Sequence, residues 1–293
     1  MLLTADRGFG VLTGFRDAYP DRFLNVGVAE QNMIGLATGL ALEGRIVFAY
    51  SIASFATLRC LEQIRNDAAG HGANVTVVGM GGGFSYGQLG DSHFATEDVA
   101  VLRAIPGMTI LAPGTTWEAG EATSAAAAGR GACYLRLDKS AGQEPGNGAP
   151  PFAVGTARML REGADATIVA MGGLLGEAQA AADALSERGI SCRLLSLHTL
   201  KPIDRDAIRR ACLETGGIVT VEEHAPEGGL GSAVAEAIVD QGFWPRKAVR
   251  LALKPGLGML VGSQEYLRVR HGLDRASIAK AVEGLVGRGD AGE

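Results

Sequence analysis

Asn25-Val26-Gly27-Val28-Ala29-Glu30-Gln31-Asn32-Met33-Ile34-Gly35 decides how this chain is read. It closes a short apolar strand, Phe23 to Val28, and passes directly into a helical pattern with Met33, Ile34, Ala37, Leu40 and Ala41 on one face. Glu30 stands at the junction, in the first helical turn. A carboxylate is favoured there because the free amides of a helix start carry partial positive charge. On spacing alone, Glu30 reads as a capping carboxylate.

Working outward, strands and helices follow in turn. Leu2 to Asp6 reads as a strand ahead of a Gly8/Gly10 loop, and the Glu30 helix stops at Glu43-Gly44. Arg45 to Tyr50 is a strand, Ala53 to Ala69 one helix, and Ala73 to Met80 a β-branched strand. Gly81 to His93 is a long glycine-rich loop of the kind that often carries function. Thr96 to Ala104 reads as a helix with Glu97 and Asp98 in its first turn, followed by strand Met108 to Ala112, helix Thr116 to Ala128 and strand Cys133 to Leu137. The stretch 138–151, with Gly142, Pro145, Gly146, Gly148, Pro150 and Pro151, has no apolar period and reads as a linker. Beyond it come strands Ala166 to Met171, Ser191 to Leu197, Ile218 to Glu222 and Ala248 to Leu253. They alternate with helices Leu175 to Arg188, Asp204 to Glu214 and Leu230 to Asp240, and Ser277 to Leu285 closes the chain as a helix. Strand–helix alternation implies parallel sheets covered on both faces. The expected organisation is an α/β domain over 1–137, the linker, and a second α/β domain over 152–293.

The 293 residues suffice for two domains, and 47% apolar with 20% charged residues suits globular cores. A net charge of −5 without a dense Lys/Arg run argues against binding a nucleic-acid backbone. No apolar run approaches the roughly 20 residues that span a bilayer, and no signal-peptide pattern is visible. Cys60, Cys133, Cys192 and Cys212 are scattered without a Cys-x-x-Cys pair, so buried thiols in a reducing cytoplasm are expected rather than a disulfide or zinc site. A P-loop is absent, and Phe84 breaks the dinucleotide spacing in the Gly79 to Gly83 cluster.

Gly27-Val28-Ala29-Glu30-Gln31-Asn32 resembles the signature of the pyrimidine-binding domain in transketolase-like thiamine-diphosphate enzymes. The resemblance continues through Tyr50-Ser51, Arg59, Glu62 to Asp67, Gly81 to Tyr86 and His93 to Asp98, and covers nearly the whole chain. The form Glu30-Gln31-Asn32-Met33 is most similar to the C-terminal subunit of split transketolases. The resemblance implies a pyrimidine-binding α/β domain followed by a transketolase C-terminal α/β domain. It also implies transfer of a two-carbon ketol unit from a ketose to an aldehyde acceptor. Similar subunits usually carry a helix before the first strand, so part of the first domain is expected to be missing or the start to be unusual.

Site roles come from the same resemblance. Glu30 is expected to meet the pyrimidine ring of the cofactor, where burial would raise its affinity for a shared proton. Tyr50 and Phe55 are the candidates for an aromatic ring stacked on that pyrimidine. His93, preceded by Ser92, is expected to face the reacting carbons, where an imidazole passes protons both ways. Asp91 is a further candidate for substrate hydroxyls. Arg136 matches an arginine that grips a substrate's terminal phosphate, a task a guanidinium fork suits. His224 and Gly228 to Gly231 resemble the C-terminal domain, to which no chemistry is assigned.

Two departures weaken the phosphosugar reading. Full-length transketolases carry an aspartate where Leu89 stands here and a phosphate-contacting histidine where Gly81 stands. The Gly-Asp-Gly and Asn-Asn elements that hold the diphosphate and Mg²⁺ in this superfamily are also absent. The resemblance therefore implies a partner: an N-terminal subunit bringing the diphosphate and Mg²⁺ site, assembled as an α2β2 heterotetramer. Two alternatives stay open. One is a deoxyxylulose-phosphate-synthase-like or 2-oxo-acid-dehydrogenase β-subunit-like carboligase that decarboxylates a 2-oxo acid. The other is a non-catalytic paralogue. The sequence names neither donor nor acceptor.

Overall fold

A computed structural model describes residues 1–144, 151–256 and 260–287. The strands, in chain order, are β1 (Leu2–Thr4), β2 (Phe23–Asn25), β3 (Val47–Ile52), β4 (Val75–Met80), β5 (Thr109–Leu111) and β6 (Cys133–Leu137). They continue with β7 (Arg158–Arg161), β8 (Ala166–Ala170), β9 (Cys192–Ser196), β10 (Thr199–Lys201), β11 (Ile218–Val221) and β12 (Ala248–Leu251). They form a seven-stranded sheet, β10-β5-β6-β4-β3-β1-β2, and a five-stranded sheet, β12-β11-β8-β9-β7. Residues 145–150 of the expected linker lie outside the described residues.

The sheets are parallel-dominated rather than wholly parallel. β10 runs antiparallel to β5, and β7 antiparallel to β9. Each antiparallel strand lies at a sheet edge, where one partner suffices. β10 also joins the first sheet although it follows the linker in sequence, so the C-terminal half finishes the sheet begun by the N-terminal half.

Central strands are buried on both faces and read as apolar runs, Val75-Thr76-Val77-Val78 in β4 being the clearest. The Glu30–Leu42 helix turns Met33, Ile34 and Ala37 into that core and ends ahead of Gly44, whose φ of +84° is the left-handed stop a glycine allows. Two helices begin on the residues their sequence caps announce. Thr115 accepts from the Glu118 amide at 3.0 Å, and Asp204 accepts from the Ala207 amide at 2.8 Å.

The expected helix from Ala53 to Ala69 is broken. An α-helical turn spans Ala53–Thr57, a short turn spans Leu61–Gln63, and a π-helical stretch spans Ile64–Ala69. Such stretches are rare and concentrate at functional sites. Arg59 falls in the break, exposed, on the side of Glu30.

Six strands of the first sheet run parallel, so their carboxyl ends share one edge. Arg7 follows β1, Glu30 follows β2, Phe55 and Arg59 follow β3, and His93 follows β4. β2 and β3 flank β1 on opposite sides, so the chain reverses winding there. Open α/β sheets bind ligands at such a switch point.

Candidate active site

Glu30 is the first residue of its helix, yet its side chain does not cap it; the N-cap position is Ala29, with no side-chain bond. The carboxylate turns inward instead, with 1% of the side chain exposed. Oε1 accepts from the Ser51 hydroxyl at 3.2 Å, and Oε2 accepts from Arg59 Nη1 at 2.7 Å. Ser51 is the fifth residue of β3, one past Tyr50, which pairs with Thr4 at the end of β1, so it stands at the same carboxyl edge of the sheet as the start of the Glu30 helix. Behind the carboxylate, burial first and the Glu30 charge second push the Cys60 thiol up to about 12, so it stays protonated.

The Arg59 guanidinium lies over the Phe55 ring, 4.4 Å from its centroid, and Phe55 meets the His93 imidazole edge-on at 5.0 Å. His93 Nδ1 is 3.0 Å from the Ser92 hydroxyl. Its ring lines a cleft of about 310 Å³ together with Arg7, Tyr50, Tyr86 and Leu89. The fold thus gathers Glu30, Tyr50, Phe55 and His93 at one sheet edge. Tyr50 is half-buried, and burial, helped by neighbouring Tyr86, raises its phenol above the ordinary value. Asp91 sits exposed in the same short turn as His93, and the lining of the cleft does not include it.

Arg136 stands apart from these residues. It does not line the cleft but is almost wholly enclosed between the two halves of the chain. Its Nε donates to Asp98 Oδ2 at 2.9 Å, and its Nη2 donates to the carbonyls of Ala95 at 3.0 Å and Glu223 at 3.1 Å. The Tyr134 hydroxyl donates to the same Asp98 oxygen at 2.6 Å. Burial alone would weaken the proton affinity of Arg136; Asp98 beside it overcomes this and holds it firmly charged. Its Nε and Nη2 are committed to these fixed partners, and 1% of the side chain is exposed. Asp98, expected only as a first-turn acid, is the other half of this buried pair.

Two cations that sequence reasoning missed stand nearer the cleft. Arg7 lines it directly. Lys139 lies over the Tyr86 ring, Nζ 3.9 Å from the centroid, and lines an adjoining cavity of about 470 Å³ with Tyr86 and Leu89. Among the described residues neither has an ion pair within 4 Å. Position at the carboxyl end of β1 was the signal available for Arg7.

The loop that carries His93 is held from the second half of the chain. Glu223 Oε1 accepts from the Phe84 amide at 2.5 Å and from Gln264 Nε2 at 2.9 Å, while Oε2 accepts from Arg268 Nε at 2.5 Å. A Cβ at Gly83, which has a φ of +58°, would come within 2.6 Å of that carboxylate, so only glycine lets the loop approach it. Among the described residues no group of three or more His, Cys, Asp or Glu converges as a metal centre.

Known proteins converge on one family. Residues 1–144 match the pyrimidine binding domain of transketolase, and residues 155–278 match the transketolase C-terminal domain. A putative transketolase C-terminal section from Methanocaldococcus jannaschii is 38% identical over 96% of this chain and 89% of its own length. The 6-deoxy-6-sulfo-D-fructose transketolase subunit SqwH of a Clostridium species is 37% identical over 94% of this chain and 84% of its own length. A solved structure described as a split gene transketolase, inactive beta4 tetramer, superposes with a TM-score of 0.86 at 34% identity, covering 99% of this chain and 92% of that one. With both domain models matched and these relatives covered over most of their length, the chain belongs to the transketolase family, as a C-terminal section of the split type.

Proposed function

We propose that this subunit supplies the pyrimidine-gripping half of an active site shared with an N-terminal transketolase subunit, and that the pair moves a two-carbon ketol unit from a ketose to an aldehyde. The observation that carries this reading is the Glu30 carboxylate. A first-turn acid that only capped its helix would face the amides and solvent; this one is turned inside, bonded to Ser51 and to Arg59, whose guanidinium lies over the Phe55 ring.

The residues present fit the cofactor's pyrimidine. Glu30 would hold the ring nitrogen, with Phe55 or Tyr50 against the ring face. Thiamine diphosphate, when bound, supplies the carbanion chemistry that breaks and forms carbon–carbon bonds. The chain's own work is to hold a proton at Glu30, to keep the aromatic faces in place, and to pass protons to and from substrate hydroxyls at His93 Nε2. Asp91 stands within the same turn as a secondary hydroxyl contact. The diphosphate and Mg²⁺ fall to the partner, in an α2β2 assembly. Exposed Phe9, Val11, Phe15 and Val28, all on the first domain, suit a face that another subunit covers.

Arg7 and Lys139, rather than Arg136, are the cations placed for an anionic group at the far end of a substrate. The sulfo-sugar in the name of the Clostridium relative is one example of such a substrate. Four buried, unpaired thiols fit a cytoplasmic protein, and no helix among the described residues is long and apolar enough to cross a membrane.

The test is reconstitution of the co-expressed pair with thiamine diphosphate and Mg²⁺. Ketol transfer from a ketose phosphate to an aldehyde, without carbon dioxide release from pyruvate, is the expected result. Carbon dioxide release from pyruvate would assign the pair to the decarboxylating carboligases instead.

A further inference from the structure

Two groups expected to receive the pyrimidine, the Glu30 carboxylate and the Phe55 ring face, are both engaged by one side chain. Arg59 donates from Nη1 to Glu30 Oε2 at 2.7 Å while its guanidinium carbon lies 4.4 Å from the Phe55 centroid. A guanidinium is a flat nitrogen–carbon–nitrogen unit that donates in its plane and stacks through its face. A protonated pyrimidine ring contains the same unit and makes the same two contacts. We propose that Arg59 is an internal stand-in for the aminopyrimidine: it fills the ring's place in the free subunit and is displaced when the cofactor enters. The inference rests on the cofactor reading given above.

Three features suit a displaceable occupant. The Arg59 side chain is 45% exposed whereas that of Glu30 is 1% exposed, so the guanidinium is the group between the carboxylate and solvent. Arg59 sits in the break between two helical turns, where regular helix does not fix it. The second oxygen of Glu30 stays tied to Ser51, so the carboxylate keeps its aim when the guanidinium leaves. The arrangement also solves an energetic problem. An ionised carboxylate enclosed in an empty subunit is costly without a cation, and Arg59 supplies one until the ring arrives.

The experiment measures cofactor affinity calorimetrically in the assembled pair, with Mg²⁺ present. Arg59→Ala and Arg59→Gln should bind thiamine diphosphate tighter by about fivefold, the scale of one half-exposed ion pair that no longer has to be broken. Methylguanidinium added to Arg59→Ala should refill the vacated place and weaken cofactor binding competitively. Methylammonium at the same ionic strength should not do so, and the unsubstituted pair should respond to neither. Arg65→Ala, an exposed arginine bonded to Asn66, should leave affinity unchanged. A melting temperature recorded for each pair confirms assembly, and Arg59→Gln serves if Arg59→Ala fails to assemble.

Equal or weaker binding by the Arg59 variants, with Glu30→Ala losing affinity, overturns the stand-in alone. Full cofactor binding by Glu30→Ala overturns the stand-in and the site reading together.

Discussion

Replacing Arg136 by methionine should cost the chain stability, not merely its grip on a substrate. In the native chain Asp98 and Arg136 are both enclosed, 2.9 Å apart, with 0% and 1% of their side chains exposed. Methionine fills much of the same space but leaves Asp98 Oδ2 with the Tyr134 hydroxyl as its one remaining donor among the described residues. The carbonyls of Ala95 and Glu223 lose their shared donor as well. Breaking a buried pair from one side costs about 3–5 kcal/mol, because the remaining charge stays out of water unpaired. For domains of about 150–250 residues each kcal/mol lowers the melting temperature by about 2–4 °C, so a fall of roughly 6–20 °C is expected. Thermal melts followed by circular dichroism measure it on the purified chain. The double variant Asp98→Asn with Arg136→Met should recover part of the loss, since the stranded charge is gone. A melting temperature within about 2 °C of the unsubstituted chain, joined to a raised KM for a phosphorylated substrate, would refute this reasoning and restore Arg136 to the substrate site.

Further outcomes follow from the same geometry. His93→Asn should lower kcat of the assembled pair by about 10²–10⁴-fold, the usual share of general acid–base catalysis, with cofactor affinity unchanged in a titration. Arg7→Ala and Lys139→Ala should each raise KM for an anionic substrate while leaving KM for its uncharged analogue alone; steady-state kinetics with both substrates reads this. His198 is held neutral, its pKa lowered to about 4 by burial first and by Arg158 second. The unfolded chain takes up that proton first, so the stability it confers is whole above about pH 6.5 and is lost as pH falls toward 4. The loss amounts to about 3 kcal/mol over that window. His198→Gln should flatten the fall in melting temperature between pH 7 and pH 5.

Much of the scaffold was legible because local signals and tertiary packing agree. Thr116 to Ala128 and Cys133 to Leu137 fall on the bounds expected for them, the first fixed by a Thr115 cap and the second by a buried apolar run. Gly44 ended its helix as a left-handed glycine should. What escaped was short or long-range. β10 spans only Thr199–Lys201 and owes its strand character to β5 in the other half of the chain. The helix Gln264–His271 is polar, with Leu267 as its buried apolar anchor, and gave no period to read. No proline marks the break at Leu58–Cys60. At the site, Glu30 and His93 stood out as candidates because their neighbours in sequence resemble a family signature. Arg136 could not be placed, since its partner Asp98 lies 38 residues away and both looked like ordinary polar residues at element ends.

The central claim is that Glu30 grips a pyrimidine within a site completed by a second polypeptide, and a calorimetric titration of thiamine diphosphate with Mg²⁺ tests it most directly. Four samples suffice: this chain alone, the partner alone, the assembled pair, and the pair carrying Glu30→Ala. The account predicts saturable binding by the unsubstituted pair, with neither chain alone matching it, and a large loss in the Glu30→Ala pair. Micromolar binding by this chain alone, or undiminished binding by the Glu30→Ala pair, would contradict it.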